Sequence, residues 1–297
     1  MLRRSLIVAV AALVLAGAAS SHPFTAASFP VTIHAANGDV VITKQPARIV
    51  SISPTTTEDL FAVGAGKQVV AVDEDSDYPK QAPRTKLSGL SPNAEAIAQY
   101  NPDLVILSYP GPVIGQLQKL GITVLEEPAV DTIAQAYEQI RQVGAATGHV
   151  AQATKVVRGM EVKLTRLIRS VPKSHRRLRV YHELTPDYYT ATSATFIGRV
   201  YKLFGFTNIA DAADTTHSGY PQLSAEYILT ANPQVVVLAD SVCCQQSAST
   251  VASRAGWSQL DAVKKHRVIA VDDSVASRWG PRLVNFVAAI AAAAKRG

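Results

Sequence analysis

Two glutamates stand at equivalent places in two similar stretches of this chain. Glu95 lies within Ser91–Leu107 and Glu226 within Gln222–Leu238, and at an offset of 131 residues the stretches agree at seven of seventeen positions. In each, a polar residue that suits a helix cap (Asn93, Ser224) precedes the glutamate by two. A short amphipathic run follows, then Asn-Pro (Asn101-Pro102, Asn232-Pro233), then an apolar run of the kind buried in a parallel sheet. The spacing is too long for a solenoid period. It predicts two similar α/β lobes with a cleft between them, each presenting one carboxylate, so that the pair forms a symmetric surface feature.

A second group of residues could bind a ligand. In open α/β sheets ligands settle beyond the carboxyl ends of the strands. Just past the predicted strands lie Ser53-Pro54-Thr55-Thr56, Ser76-Asp77-Tyr78-Pro79 and Ser108-Tyr109-Pro110-Gly111 in the first half. The second half has Tyr188-Tyr189, Ser193-Ala194-Thr195, Ser241 to Cys244, and Ser277-Arg278-Trp279. Polar loops are ordinary at such ends; the concentration of tyrosines and a tryptophan is less so. An aromatic cleft with few charges suits a bulky ligand that is partly apolar and partly polar.

Catalytic patterns are missing. There is no Gly-x-Ser-x-Gly elbow, His-Glu-x-x-His, phosphate-binding glycine loop or dinucleotide fingerprint. His182-Glu183 is the nearest acid/base pair, but neighbours on a strand point to opposite faces. The seven histidines form no metal-spaced cluster, and no Cys-x-x-Cys exists for a structural zinc. The two cysteines, Cys243 and Cys244, are adjacent; they could close a vicinal disulfide or sit reduced.

The elements that must carry these residues alternate along the chain. Val31–His34 and Val40–Thr43 flank Asn37-Gly38-Asp39, a hairpin signal. Buried-type strands are predicted at 48–52, 68–72, 103–107 and 122–125, with helices at 57–63, 94–100 and 113–120, giving a parallel α/β lobe over 31–130. From 131 to 172 the period turns helical, interrupted at Gly148-His149. Its second part is about 30 Å long at 1.5 Å per residue, a strut joining the lobes. Strands at 178–184, 234–239 and 267–271 and helices at 196–204, 225–230, 256–260 and 283–294 build a second lobe over 173–297.

Residues 1–18 read as an export signal: Arg3-Arg4, an apolar run from Leu6, and Ala16-Gly17-Ala18 for cleavage. Arg3-Arg4-Ser5-Leu6-Ile7 also loosely fits a twin-arginine signal. Ala18 stands where a lipobox would have its cysteine, which leaves anchoring open, and 19–30 reads as a disordered mature N-terminus. The formal charge is +6, of which Arg3 and Arg4 supply two, leaving +4. That is too mild and scattered for a nucleic-acid partner. The basic run Lys173 to Arg179 reads as a solvated helix end.

Taken together, Arg48–Pro54 with Thr57-Glu58, Ser76–Pro79, Glu95 with Asn101–Ile106, Glu226 with Asn232-Pro233, and Ser277–Arg282 resemble the substrate-binding proteins of bacterial ABC importers for ferric siderophores, haem and vitamin B12. The resemblance covers nearly all of about 45–295. It implies two Rossmann-like α/β lobes joined by a rigid helix, with limited hinge motion, and a monomer that is not an enzyme and holds no resident cofactor or metal. It implies that Glu95 and Glu226 dock into arginine pockets on the two halves of a dimeric permease. Bidentate Arg–carboxylate pairing is strong and directional, although a first-turn glutamate is also favoured by the helix dipole alone. The Cys-Cys pair and the segment Asp272 to Arg282 point to a ferric siderophore as ligand, and Ser76–Pro79 to the alternative of a corrinoid or haem. Ser53, Pro54, Thr55, Tyr78, Tyr109, Tyr189, Arg278 and Trp279 are the expected contacts. Arg278 would pair with an anionic chelate or, alternatively, with Asp272 or Asp273.

Overall fold

The computed structural model describes residues 29–109 and 111–296, so the export-signal reading of 1–18 and most of 19–30 lie outside the described residues. A hairpin comes first, β1 (Val31–Ala35) against β2 (Gly38–Ile42), turned at Asn37-Gly38 where Gly38 takes φ +100°. The first lobe runs β3 (Ile49–Ile52), α1 (Pro54–Ala62), β4 (Val69–Asp73), β5 (Arg84–Leu87), α2 (Ala94–Ala98), β6 (Leu104–Leu107), α3 (Pro112–Lys119) and β7 (Thr123–Glu126). Then come α4 (Ile133–Thr147) and α5 (Val150–Arg169). The second lobe runs β8 (Arg179–Glu183), α6 (Phe196–Lys202), β9 (Thr207–Asn208), α7 (Ala225–Ala231), β10 (Val235–Leu238), α8 (Ala248–Ser253), α9 (Asp261–Lys264), β11 (Val268–Ala270), α10 (Asp273–Ser277) and α11 (Leu283–Ala294).

The first sheet is ordered β5-β4-β3-β6-β7 and the second β9-β8-β10-β11, all parallel. With β5 set aside as an added edge, the two orders are the same. The registers agree as well: Ile49 stands opposite Leu104 and Val180 opposite Val235, an equal separation in each lobe. The central strands β3, β6 and β10 are buried along their whole length, as a parallel sheet covered on both faces requires.

The repeat extends further than the matched stretches. Arg48, at the start of β3, donates from Nε and Nη2 to Tyr100 O (3.2 and 2.6 Å) and from Nε to Asn101 O (3.0 Å). Arg179, at the start of β8, donates to Ala231 O (2.9 Å) and twice to Asn232 O (3.1 and 2.8 Å). These are the carbonyls left without partners where α2 and α7 end. Asn101 and Asn232 turn the chain there in the left-handed region (φ 47° and 45°), which asparagine tolerates better than most residues, and proline then blocks further helix.

α4 starts from a capping box of Thr132 and Gln135 and stops at Gly148 in the left-handed conformation, so the break at Gly148-His149 is real. At the turn into α5 the backbones come so close that a Cβ on Gly144 would lie 2.3 Å from that of Ala153. α5 buries Ala153, Val157, Met160 and Leu164 at helical spacing. It does not bridge open space. One apolar cluster runs from the hairpin through α1, α4 and α5 to α6 and α11, in both lobes, while two smaller clusters fill the outer faces of the sheets. A shared core of this kind resists hinge opening more than a lone strut would.

Candidate functional site between the lobes

Two cavities meet at the carboxyl ends of the strands. One, about 310 Å³, is lined by Ser53, Pro54, Thr55, Asp73, Asp75 and Tyr109 from the first lobe and Ser277, Arg278 and Trp279 from the second. The other, about 320 Å³, is lined by Asp131, Thr195, Phe196, His217 and Tyr220 and again by Ser277 and Trp279. Ala129 borders both, so they form one trough divided by the indole of Trp279.

On the first-lobe side β3 passes through extended Ser53 straight into α1, whose first position is Pro54. The turn rests on buried hydroxyls: Ser51 Oγ lies 2.9 Å from Thr56 Oγ1, and Thr57 Oγ1 is 2.9 Å from both Ser51 Oγ and Ser76 Oγ. Ser76 donates to Asp73 (2.7 Å), whose carboxyl is raised above its ordinary range chiefly by burial.

The segment 277–282 crosses from the second lobe to the first. Arg278 Nη1 donates to Glu58 Oε1 at 2.9 Å and lies 2.9 Å from Asp77 Oδ1, and Nη2 donates to Asp75 O at 2.9 Å. Arg282 forms a two-bond contact with the same Glu58 (2.9 and 2.6 Å) and lies over the Tyr78 ring at 4.3 Å. Trp279 Nε1 donates to Gln139 Oε1 on α4 (2.8 Å), and Gln139 Nε2 is fixed on Pro128 O (2.7 Å). Gly280 passes so close to α1 that a Cβ would stand 3.2 Å from Asp59 Oδ1. Asp59 and Glu127 are buried nearby. Burial, then Glu58, raises the Asp59 carboxyl, and burial, then Asp59 and Glu138, raises Glu127 to about 9. Glu127 is therefore a neutral acid at pH 7.

Of the expected contacts, Ser53, Pro54, Thr55, Tyr109, Arg278 and Trp279 come together in the trough. Tyr78 and Tyr189 do not line it: Tyr78 is covered on one face by Arg282, and Tyr189 is bridged to Gln222. Arg278 pairs with neither Asp272 nor Asp273; those carboxylates cap α10 and hold the amides of Val242 and Cys243. Cys243 and Cys244 are free thiols, so the vicinal disulfide is not formed. His182 is fully buried against Tyr201 Oη (2.6 Å), and burial lowers it to about 3. Glu183 faces the other way, in a two-bond contact with Arg254 (2.6 Å each). The two therefore do not form a joint acid/base site. Sequence reasoning gave no role to Glu58, Asp73, Asp75, Asp131, Gln139 or Tyr220. The available signal was Glu58-Asp59 standing inside an otherwise buried helix with no basic residue of its own.

Glu95 and Glu226 are exposed in the first turns of α2 and α7. Asn93 Oδ1 accepts from the Ala96 amide (2.9 Å) and Ser224 Oγ from the Tyr227 amide (3.1 Å). The Glu226 backbone N–H and the Ser224 hydroxyl hold the Glu226 carboxylate below its ordinary range. The far ends of both helices are tied to Arg48 and Arg179 at the amino edges of β3 and β8, so the first turns that carry the glutamates lie toward the opposite, carboxyl edges.

Residues 49–275 match the family described as Periplasmic binding protein. The chain belongs to that family. Members are non-enzymatic components of ABC importers. The chain is 35% identical over 275 residues to an ABC transporter substrate-binding lipoprotein of Bacillus subtilis, covering 89% of this chain and 85% of that one. It is 33% identical over 277 residues to a cobalamin-binding protein of Halobacterium salinarum, covering 90% and 74%. A solved Staphylococcus epidermidis structure, described as a possible iron-binding periplasmic solute-binding protein, superposes with a TM-score of 0.69 at 26% identity, over 84% of this chain and 99% of that one. Among the described residues of this periplasmic binding protein, no helix is long and apolar enough to cross a membrane.

Proposed function

We propose that the trough captures a ligand without net negative charge, a corrinoid, and that the loaded protein delivers it to an ABC permease. The observation that carries this reading is the charge pairing of Arg278. Among the described residues it is the only Lys or Arg lining the trough, and its charge is already met by two carboxylates, Glu58 and Asp77, with a third contact to Asp75 O. Asp73, Asp75 and Asp131 line the same surface. Removing a carboxylate-rich chelate from water beside these groups would cost desolvation without a cation to offset it. An amide-fringed corrinoid meets hydroxyls, carboxylates and an indole that match it. The ferric siderophore of the sequence reading remains compatible only in neutral or cationic form, and the propionates of haem find no free guanidinium. The cobalamin-binding relative supports the same choice.

Delivery rests on Glu95 and Glu226: one exposed carboxylate per lobe, on the same side as the trough, is what two-point docking on a dimeric permease needs. Reconstituted transport with Glu95→Ala/Glu226→Ala tests this. Uptake should be abolished while the purified variant keeps its ligand affinity; lost affinity would place the two residues in ligand binding or folding.

A further inference from the structure

The connection from β10 to α8 carries both cysteines, and two of its other residues are held in unfavourable ways. Gln245, directly after Cys244, stands in the left-handed region at φ 56°, which few residues other than glycine and asparagine occupy. Asp240, which opens the connection, is fully buried, and among the described residues nothing donates to either of its carboxylate oxygens. Strained backbone and unmet buried polar groups collect at functional and switching segments.

Backbone contacts fix the turn around the cysteines. The amides of Val242 and Cys243 both donate to the Asp273 carboxylate (3.0 and 2.8 Å), the Cys244 amide donates to Asp240 O (3.2 Å), and Gln246 Nε2 donates to Cys244 O (3.1 Å). Asp273 is the first residue of α10, and Ser277, the last, lines both chambers of the trough together with Trp279. The cysteines are thus joined to the trough wall through one carboxylate and one five-residue helix. Cys243 is exposed and Cys244 half-buried, so a reagent in solution reaches the turn.

We propose that Cys243 and Cys244 are a modification site, a neighbouring dithiol that an external disulfide, R–S–S–R, converts to a disulfide, and that this closure loosens α10 and the trough wall. One cysteine thiolate attacks a sulfur of R–S–S–R and expels RS⁻, which takes up the proton the cysteine released. The other cysteine then attacks the mixed disulfide and expels the second RS⁻, protonated in the same way. Two cysteine thiols are oxidised, R–S–S–R is reduced to two R–SH, and its S–S bond is replaced by one between Cys243 and Cys244. Neighbouring Cα atoms are about 3.8 Å apart across a trans peptide, short of the roughly 4.4–6.8 Å usual for a disulfide. Closure therefore reshapes the backbone at 243–244, and the amides that hold Asp273 turn away from it. Strained disulfides are readily reduced again, which makes the change reversible.

The test needs no ligand, so its outcome is separate from the choice of a corrinoid. The full chain is treated with oxidised glutathione or with dithiothreitol, then followed by intact mass and by hydrogen–deuterium exchange. The oxidised chain should lose the mass of two hydrogens without dimerising. Exchange at the amides of Val242 and Cys243 and through 273–279 should quicken at least roughly tenfold, with β8 and β10 unchanged as the check on folding. Dithiothreitol should restore both mass and exchange. Cys243→Ser/Cys244→Ser should exchange like the reduced chain under either reagent, and Asp273→Asn should quicken the same amides without oxidation. A reaction that stops at the glutathione adduct, a cross-linked dimer, a closed disulfide with unchanged exchange through 273–279, or an Asp273→Asn chain that exchanges like the native one would each overturn the proposal.

Discussion

The two lobes share a scaffold and differ where they meet the trough. Both have the same strand order, the same central register, an arginine closing the end of the repeat helix, and an exposed glutamate at its start. After the first strand they part. β3 enters α1 at once through Ser53, whereas β8 is followed by the long connection 184–195 before α6. On the proposed function this division has a reason. A permease with two equivalent halves makes the same demand on each lobe, and that demand falls on the repeated part. A ligand without such symmetry makes different demands, and they fall on the connections that differ.

The buried ion pairs contrast in the same way, and breaking them should have the largest effect. Glu58 binds Arg278 and Arg282 across the lobes, and Glu183 binds Arg254 within one. Glu58→Ala and Glu183→Ala each strand a guanidinium, which costs about 3–5 kcal/mol and is readable by urea unfolding. Only Glu58→Ala should also weaken ligand binding, because Arg278 and Trp279 line the trough and Arg254 does not. Equal losses of affinity would remove the distinction.

Next in size is a pH effect. Burial lifts Glu127 from an ordinary 4.5 to about 9. The folded state therefore holds a proton that the unfolded state releases, and stability from this group is full below pH 4.5 and lost as pH rises toward 9. The slope is at most about 1.4 kcal/mol per pH unit. Thermal unfolding of Glu127→Gln should lack this decline, so the variant should gain on the native chain as pH rises. A parallel pH profile would show that the carboxyl is not held neutral.

Arg48→Ala and Arg179→Ala probe the shared scaffold. Each leaves the carbonyls at the end of α2 or α7 unpaired and should cost about 1–2 kcal/mol by urea unfolding, with more at the less exposed Arg179. Smallest of all, Cys243→Ser/Cys244→Ser should change stability by less than about 0.5 kcal/mol and leave ligand affinity alone. A larger loss would mean that the free thiols matter.

Sequence reading recovered what depends on local pattern: the hairpin at Asn37-Gly38, the fully buried strands, the break at Gly148 and the repeat. It missed β5, whose Arg-Thr-Lys-Leu is polar because it lies at a sheet edge, and β9 and α8 to α10, too short to show a period. The arginine caps escaped notice although both lie at the repeat's own offset, because the matched stretches begin only at Ser91 and Gln222, well after the strands that carry the arginines. The partner of Arg278 could not be read at all. Glu58 lies 220 residues away and reaches Arg278 only because 277–282 crosses between the lobes. Aromatic residues past strand ends marked the trough in Tyr109 and Trp279; Tyr78 and Tyr189, marked by the same rule, lie outside its lining, where an arginine covers the ring or a local bridge holds the backbone.

The measurement closest to the central claim is a titration of the full chain with cyanocobalamin, haem and an anionic ferric catecholate, read by tryptophan fluorescence. Trp279 divides the trough, while Trp257 is buried against Tyr188 and Arg254 and serves as a constant background. The account predicts saturable quenching by cyanocobalamin that is absent in Trp279→Phe, and none by the catecholate. Tight saturation by the catecholate with no response to cyanocobalamin would contradict it.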